Sequence, residues 1–516
     1  MAASRVQKSL LNAKVDAVFY ALALALMFFS RKIFLDCLGA DFLGLTGTLQ
    51  NILGILNLAE LGIGAAVAFA LYAPLQKDDR PGIESVVSVF GFMYRRVGVF
   101  VLGAAVCLSL CLPFIFRNTP FSFSVIYLAF YAFLASSLIS YFCNYRSVLL
   151  SADQKNYVVN VYFQSGNIIK TLLQMYFAWK YGNYYIWLII EMVYGGICCW
   201  LLNRKIRQVY PWLSASVRKG KALRARYPEI MRRTRQVFVH RIKDFLLTQS
   251  DQILIYSFVS LSMVTYYGNY AGIITRSTTM LSVVMNGMNA GVGNLIAEGN
   301  QPKILRVFWE LLSLRYFIAG VVLFGIYHFI QPFICLWLGG EYLLSGTVLV
   351  LMLIVTYISI TRGVVDMFNG GYGHYADTWS AWAEGGLNLS ISLVAGYFLG
   401  LPGLLLGKIV SLFFIIVLWK PYYLFRQGFH DSYHGYWLQV IRYMVASALA
   451  FSIVSPVGDW LGLYGWSRAG FLEWALAGGL AVFTFMAVQS LFMFALTRGF
   501  RDLAFRLLKL NRAMQK

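Results

Sequence analysis

Apolar runs long enough to cross a bilayer recur along all 516 residues of this chain, and they limit its folding more than any other feature. A span needs about 20 mostly apolar residues, and that length is met about 14 times. The expected spans are 15–38, 43–72, 90–116, 121–149, 157–179, 184–203, 238–260, 264–297, 305–334, 343–371, 378–399, 401–425, 438–457 and 470–497. Several exceed what a straight span requires, so tilts, kinks or projections beyond the bilayer are expected. Composition agrees: 59% of residues are AVILMFWYC, 13% are charged, and mean hydropathy is +0.65. The fold class is therefore an all-α polytopic membrane protein. The first run lacks a small-residue cleavage site and leads directly into further spans, so it reads as a retained helix and not a signal peptide.

Basic residues set the expected orientation. With an even number of spans both termini share a side, which holds Arg5, Lys8, Lys14, Lys77, Arg80, Lys155, Lys303 and Arg306. The same side holds the tail cations Arg498, Arg501, Arg506, Lys509, Arg512 and Lys516 and the basic stretch RKIRQVYPWLSASVRKGKALRARYPEIMRRTRQ (204–236). The opposite loops offer little beyond Arg117, Lys180 and Arg468, so the positive-inside rule places both termini in the cytoplasm. The net charge of +21 then follows from topology, helped by attraction of the basic loop to anionic headgroups, and not from nucleic-acid binding.

The basic loop divides the spans into six before it and eight after it. Glu60-Leu61-Gly62-Ile63-Gly64 in the second span has a counterpart in Asn289-Ala290-Gly291-Val292-Gly293 of the eighth, each followed by a polar turn, LQKDDRPGI and EGNQPKI. This repeat sets helices 1–6 against helices 7–12, as in transporters built from two related bundles. The expected organisation is an N-terminal lobe (1–203), a basic cytoplasmic inter-lobe loop (204–237), a C-terminal lobe (238–427), an additional helix pair (428–497) and a basic cytoplasmic tail (498–516).

The runs RKIFLDCLGADFLGLTGTLQNILGILNLAELGIGAAVAFALYAPLQKDD (31–79) and YYGNYAGIITRSTTMLSVVMNGMNAGVGNLIAEGN (266–300) resemble the bacterial polysaccharide flippases of the Wzx type. These are members of the multidrug/oligosaccharidyl-lipid/polysaccharide (MOP) superfamily, which also holds lipid II flippases and MATE drug exporters. The resemblance covers the whole chain in helix count and lobe arrangement, and residue motifs in helices 1–2 and 7–8. It implies two six-helix lobes, alternating access and export of an undecaprenyl-diphosphate-linked oligosaccharide across a bacterial inner membrane. Membrane lipids and the glycan polymerase and chain-length regulator of the same pathway would be the other partners.

An ionisable group near the bilayer centre costs at least ~2.5 kcal/mol on insertion scales, so it faces a cavity or a partner. Besides Glu60, the deeper groups are Arg31, Lys32, Lys170, Glu191, Asp251, Arg276, Arg315, Arg362, Asp366, Glu384, Lys408, Arg442 and Glu473, with cations in excess. An anion crossing lipid needs such an excess, because its lost hydration must be replaced by fixed donors. Arginine suits the task, since its planar fork holds phosphate oxygens bidentately and stays charged. The resemblance to lipid II flippases points to Arg31 and Arg276, while Lys32 stands where those proteins usually carry an acid. The expected substrate-binding set is Arg31, Lys32, Lys170, Arg276 and Arg362. Snorkelling to headgroups competes at Arg31 and Lys32, and i,i+4 neutralisation competes for Arg362 and Asp366. Lys170 lies among Gln164, Ser165, Asn167, Thr171 and Gln174, which reads as a polar cavity wall. Glu60, Asp251 and Asp366 are the expected gating or ion-coupling acids, with a structural role for Glu60 as the competing reading.

Two other classes of membrane protein would carry different features. A MATE-like exporter of organic cations would want an acidic, aromatic cavity. A membrane-embedded glycan polymerase or ligase would want a large extracytoplasmic loop or a carboxylate cluster at the surface, and neither is visible. His430 and His434, beside Asp431, would share a face only if HDSYHGYW were helical, and interfacial residues fit that stretch better. The seven cysteines lack metal or disulfide spacing and read as small hydrophobes. With no Gly-x-x-x-x-Gly-Lys-Ser/Thr loop, ATP is not expected to be the direct energy source; no cofactor is expected, and the protein is not expected to be an enzyme.

Overall fold

A backbone amide in hydrocarbon has no water to bond, so each apolar run must satisfy its own polar groups, and a helix does so within one segment. The computed structural model describes residues 5–56, 63–117, 119–153, 155–223, 225, 227, 250–286, 292–293, 295–296, 298–372 and 378–514, and no strand occurs among them. Described helix lies within every one of the expected spans. Among the described residues nine helices are long and apolar enough to cross a membrane, from Val18–Leu38 to Phe471–Leu496. The protein is a polytopic helical membrane protein. Its chain forms two compact units, Met1–Thr265 and Tyr266–Lys516.

The first unit holds α1 (Arg5–Leu38), α2 (Ala40–Leu56), α3 (Ile63–Gln76), α4 (Arg80–Ser109), α5 (Phe123–Cys143), α6 (Asn156–Tyr181), α7 (Tyr184–Val209) and α8 (Ser250–Phe258). Trp187 of α7 ties four helices together, its ring lying 5.8 Å from Phe34 of α1, 5.5 Å from Phe42 of α2 and 6.3 Å from Phe133 of α5. Small residues let helices approach, as expected in membranes. A Cβ on Gly166 of α6 would stand 2.0 Å from the Cys198 sulfur of α7. The basic loop does not simply hang into solvent. Glu84 of α4 accepts hydrogen bonds from the Ser214 amide (2.9 Å) and hydroxyl (3.0 Å), and Ser88 Oγ accepts from the Ser216 amide at 3.1 Å. At its start Tyr210 donates to Asp153 at 2.8 Å, and burial, then this bond, push its phenol pKa upward.

The second unit holds most of α9 (Leu261–Asn286), then α10 (Gln301–Trp337), α11 (Gly346–Thr361), α12 (Gly363–Gly371), α13 (Thr378–Leu399) and α14 (Leu401–Leu412). The helix of α14 continues through two π-helical stretches, Phe413–Trp419 and Phe425–Phe429. Next come α15 (His434–Trp460), α16 (Phe471–Leu496) and α17 (Arg498–Met514). Phe308 of α10 centres a core in which its ring lies 5.2 Å from Phe368, 5.7 Å from Phe425 and 5.0 Å from Phe429. The α15–α16 pair packs on the other half of α10, where Phe324 and Phe485 stack at 4.2 Å.

The two units repeat a turn that was legible as LQKDDRPGI and EGNQPKI. In the first, Asp78 is left-handed (φ 51), Asp79 caps α4 by accepting from the Gly82 amide at 3.0 Å, and Pro81 occupies the first helical turn. In the second, Gly299 is left-handed (φ 71), Asn300 caps α10 by accepting from the Lys303 amide at 3.1 Å, and Pro302 occupies the first turn. The cap dihedrals nearly coincide, φ −77, ψ 85 at Asp79 and φ −83, ψ 89 at Asn300. Asp or Asn at the cap and Pro just inside is the chemistry a helix start requires. A second correspondence joins consecutive helices: Gly182 (φ 55) links α6 to α7, and Gly400 (φ 61) links α13 to α14.

Candidate functional site

Among the described residues, three groupings of polar side chains within the spans bear on the site. In the first unit, Lys170 of α6 pairs with Glu191 of α7 at 2.9 Å, both side chains nearly buried. Gln174 donates to the same carboxylate at 3.0 Å, and the Lys170 ammonium lies 4.3 Å from the Tyr194 ring. The polar set on helix five thus turns partly inward to a neighbouring helix.

The second place joins the α1–α2 corner to the α8–α9 corner. Asp41, in the first turn of α2, accepts from the Ser262 hydroxyl, and Thr265 Oγ1 donates to the Ala40 carbonyl at 2.7 Å. Arg31 Nη2 donates to the Thr265 carbonyl at 3.3 Å, and Asn51 donates to the Gln252 side chain. The backbones come so close that a Cβ on Gly44 would stand 2.0 Å from the Leu261 carbonyl oxygen. Tyr256 of α8 donates to the Ile115 carbonyl at 2.9 Å and stacks on Phe116 at 5.1 Å. Beside these contacts lies a cavity of about 920 Å³, lined by Asp41, Ile52, Phe114, Arg117, Tyr256 and Ser262 among others.

The third place is in the second unit. In the tenth span Arg362, at the junction of α11 and α12, keeps helical dihedrals (φ −59, ψ −26) and bonds Asp366 Oδ2 at 2.7 Å through Nε. Its Nη1 lies 4.0 Å from the fully buried carboxylate of Glu384 on α13. The buried Arg315 of α10 packs its guanidinium against Gly363, 2.9 Å from where a Cβ would be, so only glycine leaves it this room. Two arginines and two acids on three helices therefore share one interior position.

Lys32 and its neighbour Asp36 are half-exposed, 3.6 Å apart. Asp251 is half-buried in the first turn of α8, and Glu60 lies outside the described residues, as does most of the Gly-x-Gly repeat. Arg276 is half-buried on α9 and, among the described residues, meets neither an acid nor a hydrogen-bond acceptor. Arg315, Glu384 and Glu191 carried a sequence signal, being charged within spans, but nothing local named their partners. Glu310 carried the same signal near the start of its span but was not among the deeper groups; it is 5% exposed and bonds Arg506 of α17 at 2.8 Å. The two histidines share no helical face, since His430 is left-handed (φ 52) and His434 begins α15.

No protein-family model matches the chain, and no curated protein sequence does. Solved structures do match. A lipid II flippase, MurJ, in an inward closed conformation aligns with a TM-score of 0.63 at 12% identity, over 92% of this chain and 98% of that one. An inward-facing multidrug resistance MATE family transporter of the MOP superfamily aligns with a TM-score of 0.58 at 12% identity, over 78% of this chain and 94% of that one. At such identity the likeness establishes the fold. The chain has the polytopic helical fold of these two structures.

Proposed function

We propose that this protein is a flippase that carries an undecaprenyl-diphosphate-linked oligosaccharide from the cytoplasmic to the outer leaflet of a bacterial inner membrane. One observation carries the reading: Arg276, within a described span, is a cation that no acid among the described residues pairs with. The embedded acids Glu191, Asp366 and Glu384 each lie against a base, whereas Arg276 meets no acid among the described residues. An unpaired guanidinium in low dielectric asks for an anionic ligand, and a diphosphate fits its fork. Arg31, Lys32, Lys170 and Arg362 are proposed to add to the same field, and Glu60, Asp251 and Asp366 to act in gating or coupling. The fold shared with a lipid II flippase supports this reading, and the shared fold of a MATE transporter keeps export of organic cations as its competitor.

In the proposed cycle the contacts of Asp41, Ala40 and Arg31 with Ser262 and Thr265 close one side, and they part when the other side closes. The membrane potential favours export of an anion from a negative cytoplasm by ~2.3 kcal/mol per charge at 100 mV, so a coupled cation is not required. The test is reconstitution in vesicles with a fluorescent lipid-linked oligosaccharide. Passage to the outer leaflet with the glycan carrier chemically unchanged is expected. Transport of organic cations alone would favour the exporter, and a lengthened or transferred glycan would show an enzyme.

A further inference from the structure

The transport reading makes no use of α17. Only Thr497, in an extended conformation (φ −126, ψ 129), separates it from α16, so the helix is broken there and α17 need not follow the axis of the last span. One residue reaches only about 3.5 Å, and α16 is apolar almost throughout, so α17 starts at the bilayer surface. Its sequence, RGFRDLAFRLLKLNRAM, carries Arg498, Arg501, Arg506, Lys509 and Arg512 against one acid, Asp502. At 3.6 residues per turn, positions 498, 501, 505, 509 and 512 fall on one line about 21 Å long, opposite Phe500, Leu503, Leu507 and Met514. The line is thus four cations with Phe505 at its centre, a ring that is 53% exposed and lies 5.9 Å from the Phe494 ring near the end of α16.

The start of α17 is seated on α10. A Cβ on Gly499 would stand 2.5 Å from the Trp309 carbonyl oxygen, and the Phe500 and Phe317 rings lie 5.4 Å apart. Arg506, off the line, is engaged by Glu310, and Arg501 keeps one N–H on the Thr497 carbonyl at 3.4 Å. We infer that the line Arg498, Arg501, Lys509 and Arg512 binds the phosphates of anionic lipids, with Phe505 entering the acyl boundary between them. The sign of the line fits an anionic headgroup layer, its place fits the surface where the last span ends, and an exposed aromatic among cations fits a lipid interface better than a soluble polyanion. The inference does not depend on what the protein transports.

The test is hydrogen exchange of the full-length protein in nanodiscs of phosphatidylcholine alone and of phosphatidylcholine with phosphatidylglycerol. Amides of 498–514 are expected to exchange at least about five-fold more slowly in the anionic bilayer, the factor that one surface cation supplies. High salt should remove the difference. The variant R498Q/R501Q/K509Q/R512Q should also remove it while leaving exchange in α15 and α16 unchanged, and Phe505→Ser, which keeps every cation, should lessen it. Equal exchange in the two bilayers, or a difference that survives the fourfold substitution, would overturn the inference. Equal slowing by soluble polyphosphate over a neutral bilayer would overturn the lipid assignment.

Discussion

Arg276 and Lys170 show how differently a cation within a span can be held. Lys170 has Glu191 at 2.9 Å and an aromatic ring beside it, a nearly buried pair in which each partner compensates the other. Removing one partner of such a pair leaves an uncompensated charge, so Glu191→Gln is expected to cost about 3–5 kcal/mol. It should appear as a lower unfolding midpoint in detergent, and the double variant Lys170→Met/Glu191→Leu should recover most of it. Arg276 has no such partner among the described residues, and its replacement should spare the fold. Arg276→Ala is expected to abolish surface glycan at unchanged protein level, and Arg276→Lys to keep part of the activity, since it retains charge but loses the fork. Normal export by Arg276→Ala in a strain lacking the native protein would remove the support for a cationic pathway at this position. Arg31→Ala should act in the same direction but more mildly, because Arg31 also donates to Thr265.

Among the elements, α2 and the start of α9 meet at Gly44. A methyl group there would collide with the Leu261 carbonyl oxygen, a backbone atom that cannot rotate away. Gly44→Ala is therefore expected to force these helices apart and to break the hydrogen bond between Asp41 and Ser262. Cysteines placed at positions 41 and 262, in a chain whose native cysteines are replaced by serine, should form a disulfide readily with Gly44 present and poorly with alanine. Unchanged cross-linking would mean that the approach of these backbones is not what holds the corner closed.

For the whole molecule, the orientation read from the basic residues can be tested from outside the cell. If the basic loop is cytoplasmic, an impermeant thiol reagent applied to intact cells should label Cys335, which is exposed near the end of α10, in a chain keeping only that cysteine. Lys219→Cys should stay protected. Lys219 is the better probe in the loop because it is exposed, whereas Ser216 is half-buried against Ser88 and would be shielded on either side. Strong labelling of Lys219→Cys would reverse the orientation, and with it the direction of transport.

Hydropathy along one dimension was enough to locate the membrane helices, because crossing a bilayer depends on the length and apolarity of a single segment. Local chemistry was legible for the same reason. Asp79 and Asn300 cap helices through atoms three residues away, and Arg362 meets Asp366 one turn along its own helix. What needed the tertiary structure was every pairing between helices: Lys170 with Glu191, Arg315 against Gly363, Arg362 near Glu384, and Glu310 with Arg506 from a helix 196 residues further along the chain. Those contacts depend on how each helix is turned about its axis and which neighbour it packs against. The apolar residues here surround most helices on all sides, so no amphipathic stripe in the sequence marks which face turns inward.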